Sequence, residues 1–219
     1  MTDILCIYGC GGLGKEVLDT YNGLPSAGEA AFVDDGPAAG QNILGTPVYA
    51  YEHILQLHRA GRRRPVFVVG LGEPRIRARL YEKILSDGFA CANVVGRSAE
   101  ISPFASVEPG VVIQPQCIVP HGAVIGFGCF LNYQVVTGHD TSIGRCCVLS
   151  PKANLGGNVQ IGENCYVGSS AVIRNDVKIG KNVIIGMGAV VLDDVPDDAV
   201  MVGNPARMLR KNKDGVVFG

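Results

Sequence analysis

The chain has 219 residues, 47% hydrophobic and 18% charged, with a formal net charge of −1 at pH 7. That length suits one large domain or two small ones with ample core, and the charge balance offers no field for gripping nucleic acid or an anionic membrane. No apolar run approaches the roughly 20 residues of a membrane span, and "MTDILCIYGC" enters a strand-like run without a basic flank, so a cytoplasmic protein with no membrane insertion is expected.

From residue 3 to about 97 the chain alternates strand and helix signals. "ILCIY" (4–8) reads as a buried strand, followed by the loop "GCGGLG" and the helical stretch "KEVLDTYNGL". "AAFVDD" (30–35) is a second strand ending in two carboxylates. A helix over "AYEHILQLHRAG" precedes the strand "PVFVVG" (65–70). "EPRIRARLYEKILSDG" places Ile76, Leu80, Ile84 and Leu85 at helical spacing, and "CANVVG" (91–96) closes the series as a fourth strand. This βαβ alternation argues for a small Rossmann-like parallel sheet, half the size of a full dinucleotide fold. Gly9, Gly11, Gly12 and Gly14 leave backbone free to approach a phosphate at a helix N-terminus. Asp34 follows Gly14 at the distance where a dinucleotide fold uses a carboxylate for ribose.

From Ile101 the rhythm becomes a strict period of six: Ile101, Val107, Ile113, Val119, Ile125, Leu131, Thr137, Ile143, Leu149, Leu155, Ile161, Val167, Ile173, Ile179, Ile185 and Val191. Four residues after each stands a small or β-branched residue, from Ala105 to Val195. A six-residue repeat is the signature of a β-helix. Three hexapeptides make a coil of 18 residues, and these repeats supply a little over five coils, about 25 Å at roughly 4.8 Å per strand spacing. Cys117, Cys129, Cys147 and Cys165 fall in the small-residue column and are expected to fill core, since buried cysteine packs as a small hydrophobe. No C-x-x-C spacing suggests a zinc site among the 8 cysteines.

One position breaks the column. Thr137 is polar, and in "VVTGHDTSIG" His139 and Asp140 follow it. The third position of each repeat falls at a corner pointing outward, and steps of 18 stack His121, His139 and Gly157 along one edge. An exposed corner histidine over a glycine is an odd packing residue and a suitable general base, because free imidazole titrates near neutrality.

The segments "IYGCGGLGKEVLD", "FVDD", "VVGLGEPRIRARLYEKI", "VVGRSAEISPFASVEPGVVIQP", "LNYQVVTGHDTSIG", "GGNVQIGENCYVGSSAVI" and "VGNPARML" cover nearly the whole chain in order. Together they resemble the hexapeptide-repeat sugar-nucleotide N-acetyltransferases and their sialic-acid O-acetyltransferase-like relatives. The resemblance implies a Rossmann-like nucleotide-sugar-binding domain over 1–97 and a left-handed parallel β-helix acetyltransferase domain with a C-terminal tail over 98–219. It also implies a homotrimer with active sites between subunits. His139 is then the base, Asp140 its orienting partner, and acetyl-CoA the co-substrate, with no metal. Gly157 matches the position whose N–H polarises the thioester oxygen, and Asn132 a family asparagine near the site. Ser169, Ala171 and Gly188 lie in small-residue stretches that admit a pantetheine arm, and Arg207 is placed near the CoA phosphates. Asp34 and Asp35 are implied near the base or ribose of a UDP-, dTDP- or GDP-linked amino sugar. Relatives often carry histidine where this chain has Leu13, and some a second one where it has Val148.

The expected activity is N-acetylation of a nucleotide-linked 4-amino-4,6-dideoxysugar for surface polysaccharide, with O-acetylation of a sugar hydroxyl such as that of a sialic acid as the alternative. A zinc carbonic-anhydrase-like β-helix needs about three protein ligands, and the repeat region offers only His121 and His139 as histidines. An NAD-linked oxidoreductase needs a second mononucleotide half that the chain lacks.

Overall fold

The computed structural model describes residues 3–213, 216 and 217. Strand β1 (Asp3–Tyr8) pairs in parallel with β2 (Ala30–Val33) on one side and β5 (Arg64–Val69) on the other. Both of its faces are covered, as a continuous apolar run requires. Ile4, Cys6 and Tyr8 pack with Tyr51, Ile54 and Leu55 of helix α2 (Tyr51–Arg59) and with Tyr81 and Ile84 of α3 (Pro74–Ser86). Leu5 and Ile7 face the other way, onto Val17 and Leu18 of α1 (Gly12–Asn22).

Two features of this sheet depart from the sequence reading. A hairpin of β3 (Asn42–Ile43) and β4 (Thr46–Tyr49) adds to its edge, with β4 parallel to β2. Leu44 and Gly45 form its two-residue loop, both at positive φ, as a primed hairpin turn demands. Pro47 and the shortness of the strands hid it. The strand expected over 91–96 is divided. Ala90–Cys91 ends the α/β sheet beside β5, whereas Val94–Val95 pairs with Val112–Ile113 and is the first rung of the coil.

The coil has three faces. Along the first, Val112, Phe130, Val148, Tyr166 and Ile184 are register partners, each 18 residues from the next. The second carries Ile118, Val136, Asn154, Val172 and Val190 on its outside, and the third Val124, Ser142, Gln160 and Lys178. The inward columns form one continuous core from Val111 to Ala206. Every corner from Gly110 to Gly188 holds a residue in the left-handed backbone region at six-residue intervals, φ 55 to 74, including Gln134, Asp140 and Asn158. That corner conformation explains the recurrence of Gly, Asn and Asp there, residues that tolerate it best.

The four core cysteines fill space as expected, all fully buried. They also follow a rule invisible in the sequence. Each thiol donates to the carbonyl 15 residues on: Cys117 to Asn132, Cys129 to Gly144, Cys147 to Gly162 and Cys165 to Gly180, at 3.0–3.1 Å. Thr141, in the same column, uses its hydroxyl on Gly156 O.

The first face of the coil is where the two parts meet. Val94, Val112, Phe130 and Val148 pack with α1 and with Leu5 and Ile7. Arg77 of α3, fully buried, bridges them. Its guanidinium donates to Val69 O and Leu71 O at 2.7 and 2.8 Å and to Gly128 O of the coil at 2.6 Å. Tyr81 adds a bond from its hydroxyl to Gly110 O. Val148 belongs to this packed contact.

Candidate active site

His139 sits on the corner between the second and third faces, exposed to solvent. Thr137 anchors the strand that leads to it. Its side chain is 1% exposed. The break in the aliphatic column costs little, because the hydroxyl bonds back to Ile118 O of the coil before. Beyond it, Asp140 takes the left-handed corner conformation, and its backbone N–H donates to His121 O. This turns the Asp140 carboxylate onto the imidazole, with Oδ2 2.8 Å from His139 Nδ1. The contact keeps a proton on Nδ1 and leaves the lone pair on Nε2, the state a general base needs.

The neighbours above and below are those the 18-residue step implies. The rings of His121 and His139 stack with centroids 5.8 Å apart and planes 9° from parallel. Beneath, a Cβ built on Gly157 would lie 2.5 Å from His139 Nε2, so only glycine leaves room for the ring. The Gly157 amide donates no hydrogen bond among the described residues. An unpaired N–H beside Nε2 suits an oxygen that gains negative charge during acyl transfer. One support was missed in the sequence. Gly122 lies one coil before Asp140 and holds the space its carboxylate occupies. A glycine 18 residues before Asp140 was the signal available.

The other expected site residues lie elsewhere on the coil. Asn132, Ser169 and Gly188 belong to the corner between the first and second faces, one face away from His139. Asn132 there adjoins Glu16 of α1, whose carboxyl is raised by burial against the opposing effect of its hydrogen bond with Asn132. Gly188 N bonds Ser169 O one coil before, next to the exposed Met187. Ala171 is a correction: it is fully buried in the core column, so its methyl is closed to any ligand lying along the outside. Arg207 is exposed on the terminal strand.

The glycine loop lies where expected, between β1 and α1, with Gly11 as the helix cap and no side chain capping it. Gly14 packs directly on the Gly9 carbonyl. Asp34 accepts from the backbone N–H and thiol of Cys10 and from Gly36 N, so its carboxylate braces the loop. Asp35 accepts from the Tyr8 hydroxyl at 2.5 Å and from Tyr51 N at 2.9 Å, with Lys83 Nζ 3.7 Å away. Partial burial works to raise its pKa, but the Tyr8 and Tyr51 hydrogen bonds and the Lys83 charge prevail and hold it below the usual carboxylate range. Lys83 Nζ also lies 3.8 Å from the Tyr51 ring centroid, and Tyr51 stacks on Tyr8. The two histidines counted as possible metal ligands gain a third group here. Asp140 joins His121 and His139, with one ligand atom of each within 4.8 Å of the others.

Comparison with known proteins agrees with both halves. The PglD N-terminal domain family matches residues 4–84, and the bacterial transferase hexapeptide family, six repeats, matches 158–193. PerB from Caulobacter crescentus, solved with CoA and GDP-perosamine, is 30% identical over 95% of this chain and 97% of its own, with a TM-score of 0.87. The acetyltransferase domain of PglB from Neisseria gonorrhoeae, solved with acetyl coenzyme A, is 31% identical over 94% and 98%, also at 0.87. WeeI from Acinetobacter baumannii is 28% identical over 95% and 100%, at 0.85. The fold is accordingly a Rossmann-like α/β domain followed by a left-handed β-helix. With this likeness running from the glycine loop to the terminal coil, the chain belongs to the hexapeptide-repeat sugar-nucleotide N-acetyltransferases that carry an N-terminal Rossmann-like domain.

Proposed function

We propose that the protein transfers the acetyl group of acetyl-CoA to the amine of a nucleotide-linked 4-amino-4,6-dideoxysugar, with His139 as general base. The arrangement of His139 carries this reading: Nδ1 held by Asp140, Nε2 over the free Gly157 N–H, the whole open to solvent. In the reaction the neutral amine nitrogen attacks the thioester carbonyl carbon, and the C–N bond forms as His139 Nε2 takes the amine proton. The oxyanion is met by the Gly157 N–H. Collapse breaks the C–S bond, and the proton on Nε2 passes to the departing CoA thiolate, leaving an N-acetyl sugar and free thiol. A positioned base of this kind is worth about 10² to 10⁴ in rate. The co-substrates follow from the relatives, which were solved with CoA or acetyl-CoA and, for PerB, with GDP-perosamine.

The nucleotide is assigned to the loop of Gly9, Gly11, Gly12 and Gly14 with Asp34 and Asp35, in the α/β domain that ends with Ala90–Cys91, ahead of the acyl-transfer coil whose first rung is Val94–Val95. CoA is assigned to the corner of Asn132, Ser169 and Gly188. That corner lies one face away from His139 within one chain, roughly 15–20 Å for a hexapeptide at about 3.3 Å per residue. The intervening second face is apolar outside except for Asn154, with Ile118 and Val172 each 41% exposed. These placements favour a homotrimer in which one copy's loop and corner meet the neighbour's His139. A cytoplasmic setting suits an enzyme that consumes acetyl-CoA, and no described helix is long and apolar enough to cross a membrane.

The test is thiol release from acetyl-CoA against a panel of UDP-, dTDP- and GDP-linked amino sugars, with a sialic acid as hydroxyl acceptor. Release with one amino-sugar nucleotide, falling at least 10²-fold in His139→Ala, is expected. Release only with the hydroxyl acceptor overturns N-acetylation, and an unimpaired variant overturns the base.

A further inference from the structure

Acyl transfer, as proposed above, uses His139, Asp140 and Gly157 but leaves His121 without a task. Yet His121 presents its imidazole face to face with that of His139, 5.8 Å between centroids. With the Asp140 carboxylate, 2.8 Å from His139 Nδ1, the edge of the coil gathers two ring nitrogens and a carboxylate oxygen within 4.8 Å of one another. All three residues are exposed, so their side chains rotate without disturbing the core. His121 and His139 stand in register one coil apart, and Asp140 bonds through its backbone to His121 O, so the backbones carrying the donors are fixed relative to each other.

Two imidazoles and one carboxylate are the donor set of open zinc sites, in which three protein ligands leave a fourth position to water. Metal–ligand distances of about 2.0–2.2 Å put tetrahedral ligands roughly 3.3 Å apart, so the two stacked rings must turn out of parallel about their χ angles for both nitrogens to face one ion. The same donors discriminate against magnesium and calcium, which favour all-oxygen shells.

We propose that His121, His139 and Asp140 bind a zinc-class divalent ion, and that this ion is an inhibitor of the enzyme. The inhibition follows whichever nitrogen of His139 coordinates. An ion on Nε2 occupies the lone pair that would accept the amine proton. An ion on Nδ1 displaces the proton held toward Asp140, and the neutral ring then carries its proton on Nε2, where no lone pair remains. Either way the base is lost until the ion leaves. The effect on activity rests on the reading of His139 as base; the binding site itself does not.

The experiment is calorimetric titration of the untagged full-length protein with zinc chloride, alongside His121→Asn and a magnesium chloride control. One zinc per chain is expected for the native protein, at least about tenfold weaker binding for His121→Asn, and no saturable heat from magnesium. In the thiol-release assay, His121→Asn should turn over in the presence of chelator and require at least about tenfold more zinc for half-inhibition. Absence of saturable zinc binding, or equal binding by the variant, overturns the site. Equal zinc sensitivity of the two proteins overturns the inhibition. If no acceptor supports thiol release, the titration alone still decides whether the ion binds.

Discussion

Gly122 and Asp140 share one small volume at the edge of the coil: a Cβ built on the glycine would lie 2.1 Å from the aspartate's Oδ1. The carboxylate that orients His139 therefore owes its position to a missing methyl group one coil away. In Gly122→Ala the carboxylate must move off His139 Nδ1, and the alanine must also adopt φ near the glycine's 72°. The expected result is a fall in kcat of about 10- to 100-fold with KM for acetyl-CoA little changed, read by steady-state thiol release. Asp140→Asn, which replaces the carboxylate by a neutral amide able to donate to Nδ1 and select the wrong tautomer, leaves the backbone intact and should lose at least as much. Full activity in both variants would remove Asp140 from the mechanism.

Gly157→Ala tests the floor of the site. The new methyl would stand 2.5 Å from His139 Nε2. Because the conflict is with the reacting nitrogen itself, displacement of about 1 Å is the least that relieves it, and loss near 10²-fold in kcat is expected. Its thermal midpoint should stay close to the parent's, since the ring it meets is an exposed one that can swing away.

Arg77 joins the two domains through bonds to three carbonyls. Arg77→Leu leaves those carbonyls in a dry contact without donors and leaves the guanidinium's volume poorly filled. Destabilisation of about 3 kcal/mol or more is expected by urea unfolding. Arg77→Lys, which keeps the charge but cannot span all three acceptors, should recover only part of it. A loss below 1 kcal/mol for Arg77→Leu would show that the bonds contribute little.

The thiols should be quiet. Burial pushes Cys117 to about 11, Cys91 to about 11 and Cys6 to about 12, and raises Cys147 as well. Thiolate is the reactive form, so an aromatic disulfide reagent at pH 7.5 should label the folded protein slowly, with Cys91 first because it is the most exposed of the eight and Cys10, 9% exposed, next. All 8 cysteines should react at once in denaturant. Rapid labelling of two or more in the native state would contradict the packed core.

Asp35 gives a pH prediction. Its folded pKa is depressed, so it contributes stability above the unfolded value of about 3.9. That contribution is lost as pH falls through the lower, folded value. The carboxylate is half exposed, so the effect is modest. Asp35→Asn should unfold more easily than the parent at pH 7, and the gap should close as the pH falls below about 4 through the lowered folded value. A gap independent of pH would assign the loss to packing at Tyr51 rather than to charge.

Much of this architecture is legible in the sequence. The aliphatic column announced the coil, and the step of 18 placed His121, His139 and Gly157 on one edge. Strand β1 showed itself by an apolar run that demanded cover on both faces. Other features depend on information that no local pattern carries. The β3–β4 hairpin hides behind Pro47 and very short strands. The division at 91–96 is decided by which sheet captures each pair of residues, a tertiary choice. Ala171 is different: four residues after Val167, it already stood in the small-residue column that points inward, and the expectation that it meets a ligand conflicted with that periodicity. Gly122 could have been found by the same arithmetic that paired His139 with Gly157, since its value lies in what stands 18 residues later.

The three-sided winding makes chain length itself part of the catalytic apparatus. Removing six residues between Asp140 and Leu155 would spare the alternation of large and small side chains, yet it would rotate everything downstream by one side. Gly157 would then leave its place under the imidazole for a different edge. A whole extra winding there would keep the edge but carry Gly157 one coil beyond the ring, so the number of residues between His139 and Gly157 is fixed by the site, whereas windings past Gly157 can be added without moving either residue.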